Sequence, residues 1–183
     1  MLPFSGGLTL MAISLYDVSV ASYLQVLGGV SDCLAQGRAH CEANDVDLES
    51  IVQTRLFDDM WPFHDQVVSV AHHSLGCIRG LQAGLFQPPN LEARRDYAGL
   101  QILLDETTSE LGAITPEVVN ALEGGELKFR AGKFELQFVA EDFVTSFSLP
   151  NFYFHATTAY DMLRMQGVPI GKLNFVGKLR VTN

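Results

Sequence analysis

Positive charge is scarce in this chain. Its 183 residues carry 12 Lys and Arg against 21 Asp and Glu, a formal charge of -9, and no basic run occurs. A protein that grips a nucleic-acid backbone needs clustered Lys and Arg, so nucleic acid is not an expected partner. Cysteine is scarce as well. Cys33, Cys41 and Cys77 form neither an even set nor a Cys-x-x-Cys pair, which argues for a reducing, cytoplasmic compartment. No uninterrupted apolar run reaches the roughly 18 residues of a membrane span, and the opening residues carry no basic n-region of a secretory signal, so no membrane is expected either. A Gly-rich phosphate loop, a G-x-S-x-G elbow and an H-E-x-x-H motif are all missing. What is present is a globular composition, 48% apolar and 18% charged, at a length that suits one domain with a sizeable core. Periodic sequence begins just after Met11, an alternative start. Residues 1–12 are therefore expected as a flexible arm and residues 13–183 as the domain.

Helical periodicity dominates. From Leu15 to Asn44, Tyr16, Val20, Tyr23, Leu27, Val30 and Leu34 recur at spacings of four and three, the stripe of a bundle helix. Gly28-Gly29 weaken this helix by about 1 kcal/mol each unless a neighbour approaches closely there. Leu48 to Leu56 reads as a short helix capped by Asp47. A second long helix is predicted from Trp61-Pro62 to Gln87-Pro88, with Asp58 and Asp59 as candidate caps and Phe63, Val67, Val70, Ser74, Cys77, Ile78 and Leu81 facing inward. A third runs from Leu91 to Leu111, and Thr115-Pro116-Glu117 starts a short turn of helix. The period then changes to two: Leu127, Phe129, Phe134, Leu136 and Phe138 flank Arg130-Ala131-Gly132-Lys133 as a β-hairpin, a decoration whose apolar face should pack on the helices. The last helix ends at Gly167 and Pro169, with Leu149-Pro150 as its beginning or a kink. The expected fold is all-α, an antiparallel up-down-up-down four-helix bundle with this hairpin between helices three and four.

Two ionisable residues fall on predicted core faces. His155 shares a face with Phe152, Ala159 and Met162, and His73 lies with Val70 and Cys77. His72 is a quarter-turn away, and His64 lies on the opposite side of its helix. Buried polar groups require partners, so His73 and His155 are either core histidines bonded to each other, to Asn151, to a tyrosine hydroxyl or to water, or the lining of a pocket with Asn151, Thr158, Ala159 and Cys77. In that pocket they would bind a small molecule or a metal, or act as acid and base. Cys77 reads as a small core residue or as a thiol ligand beside His73.

The run Leu-Pro-Asn-Phe-Tyr-Phe-His-Ala-Thr-Thr-Ala-Tyr at 149–160, Gly-Val-Pro-Ile-Gly-Lys at 167–172 and the opening Ser-Leu-Tyr-Asp at 14–17 resemble an uncharacterised bacterial and fungal branch of the DinB-like superfamily. The resemblance implies a DinB-like four-helix bundle, often a homodimer. Better-known relatives are metal-dependent enzymes, some acting with low-molecular-weight thiols as transferases or isomerases, whose metal is held by one histidine of the second helix and an H-x-x-x-H pair of the fourth; imidazole suits zinc or nickel. Carried onto this chain, those positions fall on His73, His155 and Ala159. Alanine coordinates nothing, so the resemblance implies an incomplete, two-histidine version of that metal site. The expected function is small-molecule binding, with a metal-dependent hydrolase or thiol-dependent transferase as the alternative.

Overall fold

The computed structural model describes residues 13–181; the expected arm at 1–12 lies outside the described residues. The first helix opens on a reciprocal cap, in which Ser14 Oγ accepts from the Asp17 N–H and the Asp17 carboxylate accepts from the Ser14 N–H. It is divided at Ser19 into α1 (Leu15–Val18) and α2 (Val20–Ala43). Leu15–Ala43 is long and apolar enough to cross a membrane by length and composition. Its stripe of Val20, Tyr23, Leu27, Val30 and Leu34 is buried against the rest of the chain. A short α3 (Leu48–Gln53) follows, with Asp47 accepting from the Glu49 N–H at 3.0 Å as its cap.

The second helical segment departs from expectation at both ends. It starts at Phe63 with Pro62 in the cap position, so Asp58 and Asp59 are not its caps. It ends earlier than Gln87, at Gly84, whose φ of 66° is the left-handed conformation that glycine adopts without a steric cost. Within it, α4 (Phe63–Ala71) and α5 (Cys77–Ala83) are joined by a π-helical turn, His72–Gly76. The third helix, α6 (Tyr97–Gly112), begins six residues later than the periodicity implied. Asp96 Oδ1 accepts from the Gly99 N–H at 2.8 Å and fixes the start there. Ala93 is therefore in a loop, and the core face of α6 is Tyr97, Leu100, Leu104, Thr107 and Leu111. A short α7 (Pro116–Asn120) carries its proline in the first turn.

The hairpin forms, with β2 (Glu126–Ala131) paired antiparallel to β3 (Phe134–Val139) from Glu126 with Val139 to Ala131 with Phe134. Gly132, at φ 60°, makes the turn. A strand absent from the sequence reading completes a mixed three-stranded sheet: β1 (Leu85–Phe86) lies parallel to β2, Leu85 beside Lys128 and Phe86 beside Phe129. The chain is thus mostly helical and not purely so. From Ala140 it is helical again without a break, through α8 (Ala140–Asp142), a second π turn (Phe143–Ser148) and α9 (Leu149–Met165). Pro150 neither starts nor ends this segment. It sits in the first turn of α9, directly after the π turn.

α4 packs on α9 and α6, and α2 packs on α6, α9 and the last element, α10 (Lys172–Val176). Tyr23 of α2 meets Phe152 of α9 edge-on with ring centroids 5.0 Å apart. Gly29 explains itself here. A Cβ at that position would lie 2.2 Å from the Phe175 carbonyl oxygen, so α10 crosses α2 where no side chain exists.

Candidate functional site

Every residue of α4 is buried, so polar side chains on it need internal partners. Gln66, Ser69 and His73 recur at i, i+3 and i+7 and share one side of the segment. That side faces α9. The Gln66 amide nitrogen donates to the Trp61 carbonyl at 3.1 Å, which leaves its oxygen to accept from His155 Nδ1 at 2.7 Å. The bond assigns the His155 proton to Nδ1 and leaves Nε2 as the acceptor. His73 and His155 are 6% and 7% exposed, with ring centroids 5.8 Å apart. Trp61, 42% exposed, lies nearly parallel to His155 at 5.6 Å and 7°. On the other side of His73 stand Phe86 of β1 and Phe147 of the second π turn, at 5.5 and 5.9 Å. Phe86 and Phe147 are joined by Phe129, Phe138 and Phe143 into one aromatic wall. The sheet is therefore structural to the site and not a decoration.

The two π turns meet at His73. Ser148 Oγ donates to the His73 carbonyl at 2.7 Å and accepts from Tyr23 O–H at 2.8 Å. Burial pushes the neighbouring Cys77 thiol up to about 11; at neutral pH it is a protonated core thiol. Burial also pushes His73 down to about 3, helped by the nearby His72 and His155, and takes His155 down to about 4. Both imidazoles are neutral at neutral pH. Among the described residues, two buried polar atoms of this segment have no hydrogen-bond partner, His73 Nδ1 and Ser69 Oγ.

The other sequence candidates have commitments of their own. Asn151 Nδ2 donates to the Phe147 carbonyl at 2.7 Å, and Thr158 Oγ1 to the Phe154 carbonyl at 2.7 Å. The partner of His155 is thus Gln66, and not Asn151 or a tyrosine hydroxyl. Ala159 is fully buried in the apolar core. His72 Nε2 bonds the Gln87 carbonyl at 2.8 Å. His64 is also fully buried, with Asp65 Oδ1 2.7 Å from its Nδ1 and Nε2 accepting the Arg95 N–H at 3.2 Å. Gln66 and Ser69 are not among the residues singled out from the sequence, and Trp61 is read there only as a helix start. The i, i+3, i+7 spacing with His73 was the available signal for the first two.

Gln66→Leu is expected to leave the His155 Nδ1–H without an acceptor and the Trp61 carbonyl without a donor. Its cost is about 1–3 kcal/mol by urea denaturation, with a shift in the emission of Trp61, the one tryptophan of the chain. Unchanged emission would show that Gln66 does not hold the Trp61 segment.

The donor set can be compared with the zinc or nickel implied by the resemblance. A ligating histidine commonly donates its second nitrogen to an oxygen acceptor, and His155 does so to Gln66. The set nevertheless stops at two imidazoles, with buried Ala159 in the third position. Among the described residues no group of three His, Cys, Asp or Glu is placed to hold a metal. A catalytic zinc takes three protein ligands and one open position, so these residues do not fit that centre.

A family described as a domain of unknown function (DUF1993) matches residues 15–176. The chain belongs to this family. No curated protein matches its sequence. Among solved structures, it is similar to a DinB family member protein from Shewanella denitrificans, with a TM-score of 0.79 at 20% sequence identity over 92% of this chain and 95% of that one. At that identity the likeness concerns the fold, and this DUF1993 member has a DinB-like fold.

Proposed function

We propose that this DUF1993 member binds a small polar molecule between α4 and α9, at an incomplete version of the DinB-type metal site. In the same reading, the segments α1–α2, α4–α5, α6 and α8–α9 form the up-down-up-down antiparallel bundle. The observation that carries the proposal is the pair of polar atoms without a partner among the described residues, His73 Nδ1 and Ser69 Oγ, both buried, with the His73 ring beside His155, on which a half-exposed tryptophan stacks. An unpartnered buried polar group costs about 1–3 kcal/mol, so an occupant with hydrogen-bonding groups is favoured there. Neutral imidazoles accept and donate hydrogen bonds and hold no fixed charge, which selects an uncharged polar ligand over an anion.

Native mass spectrometry of protein purified without an affinity tag tests this reading. The expected result is a bound small molecule that dissociates on unfolding and is lost from His73→Ala and Ser69→Ala, both still folded. A bare protein whose Trp61 emission is indifferent to both substitutions would overturn it. The metal alternative is separated by titration with zinc and nickel. Tight binding by the unaltered protein supports the hydrolase or transferase reading, and tight binding gained only on Ala159→His supports the incomplete site. The homodimer expected from the resemblance belongs to the same reading, and light scattering would give twice the 20.1 kDa chain mass.

A further inference from the structure

A different cavity opens on the other side of α4, where Val68, Ala71, His72 and Leu75 lie instead of Gln66, Ser69 and His73. Its volume is about 210 Å³, and it is bordered by the loop after β1 and by α6 and opens to solvent. This is below the roughly 300–1,000 Å³ of pockets for drug-sized ligands, so it suits a molecule of few atoms. One wall is apolar: Val68, Ala71, Leu75 and Leu103. Facing it is Arg95, a half-buried arginine. Among the described residues it forms no ion pair, and it reaches only the Ala93 carbonyl at 3.4 Å. Most of its guanidinium donors are therefore without a protein acceptor.

Arg95 is also held in place. Its backbone N–H donates to buried His64, which is bonded in turn to Asp65. Asp65 takes Arg94 Nη1 at 3.0 Å. The stem of Arg95 lies over Gly99, where an added Cβ would come within 3.2 Å of its own Cβ. The second arginine lining the cavity, Arg79, is already paired with Glu110, which leaves Arg95 as the lining cation without an acid partner among the described residues.

We propose that this cavity binds a short-chain organic monocarboxylate, with the carboxylate on the Arg95 guanidinium and the alkyl end against Val68, Ala71, Leu75 and Leu103. A planar carboxylate matches the two-pronged guanidinium, and the alkyl end is removed from water by the apolar wall.

Calorimetric titration of the full chain with butyrate, and separately with inorganic phosphate, tests the proposal. Butyrate is expected to bind in the millimolar range or tighter, with phosphate and Arg95→Gln each weaker by at least about tenfold, the size of a lost charge-assisted hydrogen bond. Ala71→Leu, which fills the cavity and keeps the arginine, is expected to block binding while thermal unfolding shows it folded. His155→Ala is expected to leave butyrate affinity unchanged, which keeps this site separate from the one between α4 and α9. No butyrate binding at about 20 mM, equal binding by Arg95→Gln, phosphate binding as well as butyrate, or loss of binding in His155→Ala would each overturn it.

Discussion

Acidification from about pH 7 to about pH 4 is expected to destabilise this protein by about 5 kcal/mol, through imidazoles that the fold keeps neutral. In the unfolded chain His73 and His155 take up protons around their ordinary value of 6.5. In the folded chain burial delays this to about 3 and about 4 respectively. Between those limits the unfolded state binds more protons, so stability rises with pH and is fully present above 6.5. Each histidine contributes a slope of about 1.4 kcal/mol per pH unit inside its window. The total, on the order of 5 kcal/mol, is comparable with the net stability of a small domain, roughly 5–15 kcal/mol. Burial shifts His72 in the same direction and adds to the effect. Urea midpoints measured across this range are expected to fall steeply with acid and less steeply in His73→Phe, whose ring fits among Phe86 and Phe147 without titrating. Equal slopes in both proteins would mean that His73 is solvated.

Gly29→Ala is expected to detach α10 from α2. Alanine at this helical position gains about 1 kcal/mol of propensity over glycine. Its Cβ, however, would lie 2.2 Å from the Phe175 carbonyl oxygen and 2.8 Å from that of Asn174, and both obstacles are backbone. α10 cannot rotate a side chain aside, so it moves as a unit. The movement breaks the Gln25 bond to the Val176 carbonyl and the packing of Phe175 on Tyr160. The expected cost is about 1–3 kcal/mol net of the propensity gain. Hydrogen exchange should lose protection from residue 172 onward while α4 and α9 stay protected. Gly28→Ala serves as the control, since a Cβ there meets nothing within 4 Å; it should stabilise. Retained protection of α10 in Gly29→Ala would refute the close crossing.

Much of the helical framework was legible. The α2 stripe and the face carrying Phe152, His155, Ala159 and Met162 follow from a repeat of 3.6 residues, which records which side of a helix is buried, and the Asp47 cap follows from a short acceptor side chain just before a helix. The same repeat put His73 inward, while the tandem glycines left open whether a neighbour approaches; α10 does so at Gly29 and not at Gly28. Boundaries were less legible where a single side chain overrides the pattern, as Asp96 does at the start of α6. The strand Leu85–Phe86 is too short to carry a period, and the π turns shift the helical phase without any local mark.

The site divides in the same way. Local patterning determined that two histidines lie on buried faces of different helices, because periodicity is a property of neighbouring residues. Only the tertiary structure decided what they touch. Gln66 meets His155 across 89 positions of sequence, and its spacing from His73 marks a shared side of the helix but not the partner it meets there. Which polar atoms find partners, and which two are left without one, depends on helices brought together from distant parts of the chain, and no local repeat encodes that.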